Sequence, residues 1–165
     1  MMKTTKRIFL LLILLVAGLS GMNAQDKKEK KEQYEKAVKQ QVESESYKID
    51  VTTAYPRRGK TAHLSSNYSV EVRNDSVFSY LPYFGRAYSI PYGGGEGLIF
   101  KAPISEYKME TKKKGAMKID FTARSKEDRF QFRMTIYSNG SASFDVFPQN
   151  RESIGFSGEI TLPSE

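Results

Sequence analysis

From Tyr47 onward, apolar side chains recur at every second position, and that period restricts the chain to strands whose faces must agree across each turn. Phe130, Phe132, Met134 and Ile136 form one face; Ala142, Phe144 and Val146 form the next. Setting Ile136 opposite Ala142 requires the three-residue loop Ser138-Asn139-Gly140, because a two-residue Asn-Gly turn sends one whole face into solvent. Placing Thr111 opposite Met117, and Met109 opposite Ile119, demands the same device in Lys113-Lys114-Gly115. A type I turn plus bulge puts its third loop residue in the left-handed region, so Gly115 and Gly140 are expected at positive φ. Ser125–Asp128 serves as a four-residue loop that aligns Ala123 with Phe130, and Asn74-Asp75 as a tight turn that aligns Val72 with Val77.

Tyr47, Ile49 and Val51 start the first strand, which the pattern ends near Thr53; "AYPRRGK" breaks the run and "AHLSSN" reads as further loop. Ile154, Phe156, Ile160 and Leu162 supply the last strand. The expected fold is mainly β (α+β): an N-terminal helix plus an antiparallel β meander curled into a half-barrel or sandwich, spanning residues 46–165 as one domain. Roughly 140 residues suffice for a single ordinary core.

Residues 1–24 read differently. Lys3, Lys6 and Arg7 precede the uncharged apolar run Ile8–Leu19, and small polar residues follow, which is the order of a secretory signal peptide cut after Ala24 or after Gly21. The apolar run is short for a spanning helix, so no transmembrane anchor is expected after cleavage, and the mature chain is expected in the periplasm or secreted. Residues 25–45 form a helix or tether. Tyr34, Ala37, Val38 and Val42 make a narrow apolar stripe at helical spacing, Asp26 can cap the first turn with Glu29 behind it, and Glu32–Lys36 and Glu35–Lys39 stand in the favourable i, i+4 order. The run "KKEKKE" is a solvated face.

The chain contains no cysteine, which removes disulfides, thiolate nucleophiles and cysteine-based metal sites together. Its one histidine, His63, falls in the stretch read as loop and is a surface residue; no catalytic residue, metal site or cofactor is implied. The glycines at 93, 94, 95 and 97 lack the Gly-Lys-Ser/Thr of a phosphate loop and lead into a strand, so no nucleotide is implied either. Losing the leader's three basic residues takes the formal net charge from +7 to +4, a mild basicity that suits an anionic glycan, an envelope component or another exported protein and does not call for nucleic acid.

One segment concentrates what a ligand site needs. "LPYFGRAYSIPYGGGEG" (Leu81–Gly97) joins four aromatic residues, Tyr83, Phe84, Tyr88 and Tyr92, to the cation Arg86 and to Gly93, Gly94 and Gly95. The rings close one end of the sheet as scaffold, with Pro82 and Pro91 at strand ends and Gly85 permitting a bulge, or they line a binding mouth. Both readings stay open, and so does a third class of function, a small carbohydrate-active hydrolase built on two carboxylates that converge in space.

"LPYFGRAY", the glycine-rich turn after Tyr92, "GLIF", the Asn-Gly hairpin and "IGFSGEI" together resemble an exported Bacteroidetes family catalogued as domain of unknown function 4251, over nearly all of the chain beyond the leader. The resemblance implies an exported β-rich domain and supplies no activity. The leader generates a direct expectation: Edman sequencing of the exported protein starts at Gln25, and recovery of intact Met1 overturns the signal-peptide reading.

Overall fold

The computed structural model describes residues 26–88 and 97–163. The chain falls into two units, Met1–Lys36 and Ala37–Glu165. Residues 26–43 are helical (α1). Of the apolar stripe, Val38 and Val42 are fully buried in the core whereas Tyr34 is exposed. The helix's charges pair with the opposite polarity to that expected, as Lys28–Glu32, Lys31–Glu35 and Lys39–Glu43. All three are exposed pairs that contribute little.

Eight strands follow: β1 (Tyr47–Pro56), β2 (Ala62–Arg73), β3 (Ser76–Leu81), β4 (Leu98–Thr111), β5 (Met117–Arg124), β6 (Arg129–Ile136), β7 (Ser141–Pro148) and β8 (Ile154–Thr161). Each pairs antiparallel with the next, and β8 returns to β1, so the meander closes completely into a barrel where the sequence left a half-barrel or a sandwich. An eight-stranded barrel is just wide enough for side chains to fill. Tyr47, Phe121, Phe130, Phe132 and Phe156 do so here, stacked in part as Phe121–Phe132 at 4.8 Å and Phe144–Phe156 at 5.3 Å between centroids. Outward positions carry Lys48, Asp50, Glu71, Arg73, Lys101, Arg133 and Glu159, the inverse of the alternation in a lipid-spanning barrel. Among the described residues no helix is long and apolar enough to cross a membrane.

The strands meet with matched apolar faces at each of the turns read from the sequence. Val72 pairs with Val77, Thr111 with Met117, Met109 with Ile119, Ala123 with Phe130 and Ile136 with Ala142. Gly115 and Gly140 adopt φ of 73° and 85°, but Lys114 is left-handed too, at 62°, so the 113–115 loop is not the type I turn expected. Asn74 and Asp75 are both left-handed, at 51° and 54°, the signature of a two-residue hairpin turn with the twist of its strands.

The first strand and the loop after it are corrected. β1 runs three residues past Thr53 to Pro56, and "AHLSSN" lies within β2, so His63 is an exposed strand residue and not a loop residue. The cause is an irregularity that a strict period of two hides: Val51 pairs with Tyr68 and Thr53 with His63, so Thr52 faces the four residues 64–67 of β2. A second bulge sits between Ser105 and Lys108 of β4, where Glu106 takes φ 57°; it moves the inward face from Leu98, Phe100, Ala102 and Ile104 to Tyr107 and Met109.

Tyr47 fixes the start of β1 in the core, its hydroxyl donating to the Met134 sulfur at 3.9 Å beside Tyr107. Burial first, and then the neighbouring Tyr107, push the Tyr47 phenol well above its ordinary 10.0. A raised phenol contributes stability that is complete below its unfolded value and is lost as pH rises past that value toward the folded one. Between pH 9 and 11 the urea midpoint therefore falls more steeply for the wild type than for Tyr47→Phe, and parallel slopes would refute the assignment.

Candidate functional site

Alternating connections bring the links β1–β2 (57–61), β3–β4 (of which 82–88 and 97 are described), β5–β6 (125–128) and β7–β8 (149–153) to one end of the barrel, the mouth. Asp128 organises it. Its buried carboxylate accepts from the backbone N–H groups of Arg129 at 2.8 Å, Gln149 at 3.2 Å and Asn150 at 3.2 Å, and from the Asn150 side-chain amide at 3.2 Å. One short side chain thus staples two loops. Behind it Arg151 is also buried, with Nη2 donating to Glu127 at 3.2 Å and Nε standing 3.9 Å from Asp128. Glu152, likewise buried, accepts from the Arg86 backbone N–H at 3.4 Å and faces Arg58 at 3.6 Å. Buried charges persist only when compensated in this way.

Onto this frame the Tyr83–Tyr88 segment is laced. Ala87 bridges to Arg151, the Tyr88 N–H donates to the Asn150 carbonyl at 2.8 Å, and the Glu152 N–H donates to the Arg86 carbonyl at 3.0 Å. Tyr83 is half-buried, 5.8 Å from ring centroid to the Arg151 guanidinium, and its hydroxyl lies 3.0 Å from the carbonyls of both Arg86 and Glu152. Burial raises the Tyr83 phenol, and the Glu152 charge adds to it. The part expected of Gly85 changes: φ there is not positive, and a Cβ would strike the Tyr83 ring at 2.7 Å, so glycine provides clearance for a ring folded back on its own chain. Phe84 and Tyr88 remain 44% and 68% exposed, and Arg86 is exposed, with only its backbone engaged among the described residues. Tyr92, Gly93, Gly94 and Gly95 lie outside the described residues.

Beside this frame, where β4 begins, a cleft of about 250 Å³ opens between β4 and the β5–β6 loop. Phe100 and Phe130 form its floor, stacked at 4.2 Å and 12°, and Lys101, Lys126 and Glu127 stand around it with Gly97. A Cβ on Gly97, which holds φ 71°, would lie 3.9 Å from the Arg151 guanidinium, so cleft and charge network adjoin. The volume falls a little under the roughly 300 Å³ at which drug-sized pockets begin, enough for one small ring or a chain end. Glu127 is the one carboxylate among its described lining residues and is taken by Arg151. No three His, Asp or Glu side chains among the described residues are grouped to hold a metal ion.

The segment Tyr83–Tyr88 that the sequence singled out lies at the mouth, but the cleft beside it went unnoticed in the sequence. Lys101, Lys126 and Arg151 had no motif to announce them. The signal lay in parity: an antiparallel meander puts every second loop at one end, and two of those loops carry Glu127-Asp128 and Arg151-Glu152.

Fold and cleft together define a small up-and-down β-barrel with a cleft beside its mouth. The model of the family described as a domain of unknown function, DUF4251, matches residues 29–160, and the chain belongs to that family. It is similar to the crystal structure of a DUF4251 family protein from Bacteroides eggerthii, at 19% identity and a TM-score of 0.59, over 78% of this chain and 87% of that one. No curated protein matches it.

Replacing Asp128 with alanine strands three backbone N–H groups and leaves Arg151 with Glu127 alone. The domain should lose about 3–5 kcal/mol, the cost of breaking a buried ionic arrangement, read as a fall in the urea midpoint. A midpoint within error of wild type would show that the loops hold without it.

Proposed function

We propose that this chain is an exported, noncatalytic binding module of the periplasm or the exterior, and that its ligand is a small anionic molecule or chain end seated in the cleft beside the mouth. The observation that carries the reading is the stacked Phe100–Phe130 floor with Lys101 and Lys126 at its rim. An apolar floor takes the flat face of a ring, and an ammonium takes a carboxylate, sulfate or phosphate. Phe84, Arg86 and Tyr88 extend the site along the mouth, where two exposed rings and an exposed cation are at hand. The signal-like order of residues 1–24 supports export.

A two-carboxylate hydrolase is less well supported. General acid and nucleophile must both face the substrate. At this end Asp128 is spent on backbone N–H groups, Glu127 on Arg151, and Glu152 on Arg86 and Arg58.

Titration with galacturonate and with galactose, followed by amide NMR, tests the proposal. Galacturonate is expected to shift the Gly97, Lys101 and Lys126 amides, galactose to do so weakly, and Lys126→Gln to reduce galacturonate affinity about tenfold, the scale of one hydrogen bond to a charged group. Equal binding of both sugars, or shifts elsewhere on the barrel, would reject the cleft.

A further inference from the structure

The cleft does not end at its rim. Ile99, Phe100 and Lys101 line it and also line a groove of about 320 Å³ on the outer face of β2, β3 and β4, so the two share a wall. That outer face is unusual for a strand surface. Tyr80 is 50% exposed, its ring held against Tyr68 at 5.5 Å and 26°, and Ile99 beside it is 39% exposed. Beyond them Phe78 has a cation on its ring from each side strand, Arg73 at 4.9 Å and Lys101 at 4.7 Å. Glu71 is taken by Arg73 and Glu127 by Arg151, while Lys101 and Lys126 have no carboxylate within ion-pairing distance among the described residues. The result is a track with a fixed ring face and two uncompensated cations in series.

Resting on the cleft reading above, we infer that the ligand is a linear acidic polysaccharide, one end in the cleft over Phe100 and Phe130 and its next residues crossing Lys101 onto the face of Tyr80. Three features select this occupant. A pyranose ring presents a flat face of C–H groups to an aromatic ring, and a polyuronate carries a carboxylate on every such ring, which matches alternating ring and cation sites. A peptide would bind a sheet by adding a strand, yet under this track β2, β3 and β4 are already laddered together, Ser69–Arg73 to Ser76–Tyr80 and Ser76–Leu81 to Leu98–Pro103. A single-stranded nucleic acid needs successive stacking platforms, whereas among the described residues of this face Tyr80 is the one half-exposed ring.

Isothermal titration of the full chain with polygalacturonate, with dextran, with galacturonate monomer and with a dT oligonucleotide separates the cases. Polygalacturonate is expected to bind more tightly than the monomer, and dextran to bind at least tenfold more weakly than polygalacturonate. Tyr80→Ala should cost about tenfold or more in polymer affinity, the size of losing one stacked ring, and leave monomer affinity unchanged. Lys101→Gln should weaken both, and Tyr80 is exposed enough that its loss should leave the melting temperature unmoved. Polymer affinity unaffected by Tyr80→Ala, with the monomer still in the cleft, overturns the track and spares the cleft. Failure of monomer and polymer alike removes both. Tighter binding of the dT oligonucleotide, lost in Tyr80→Ala, would reassign the track to nucleic acid.

Discussion

A meander becomes a barrel only if its last strand can reach its first with both apolar faces turned inward, and here that meeting depends on a close approach of backbones. Ile49 pairs with Ile160 and Ala54 with Phe156, but between them the register shifts at Thr52, where β1 is bulged. Gly158 stands opposite Val51 at that point, on the inner face, and a Cβ there would collide with the Asp50 carbonyl. The seam therefore closes on a hydrogen atom where any other residue would hold the strands apart. Asp50 also ties the seam from outside, accepting from the Thr161 hydroxyl at 2.7 Å and pairing with Lys48 at 2.9 Å. Partial burial works against its ionisation, but the Thr161 and Lys48 contacts outweigh that and keep its carboxyl below the ordinary value.

Closure also accounts for the site. Because every strand has a neighbour on both sides, the sheet has no edge strand, and what its rim and outer face present is chiefly side chains. Loops at a barrel mouth are costly to order by themselves. Asp128 fixes two of them with its own two oxygens, Arg151 and Glu152 carry that order to the Tyr83–Tyr88 segment, and the cleft forms beside the assembled frame. Its floor is core: Phe130 belongs to the packed interior and Phe100 rests on it. A ligand seated there leans on the stable part of the molecule.

The strands were legible because alternation and turn chemistry are local and redundant. Ile136 and Ala142 could be matched by counting, and the count demanded a glycine where one stands. The extrusion of residues 64–67 was not legible, since a bulge inserts residues without a compositional mark and so left His63 and its neighbours looking like loop. Closure was invisible for a related reason: Gly158 reads as an ordinary weak spot in a strand, and its meaning comes only from a carbonyl more than a hundred positions earlier. Of the site, the aromatic segment announced itself by density. Asp128 did not, because a lone aspartate before a strand looks like any turn residue until the loop twenty residues on folds against it.

The chain enters β1 and leaves β8 at the same rim, Lys48 lying directly opposite Thr161 across the seam. The mouth is at the other rim. A tether joined directly ahead of β1 or directly after β8 would pull on the base, with the cleft one strand length away at the far rim. On the reading proposed above, a tether at the base and a polymer at the mouth would load opposite poles of the barrel, leaving the side where Tyr80 stands open.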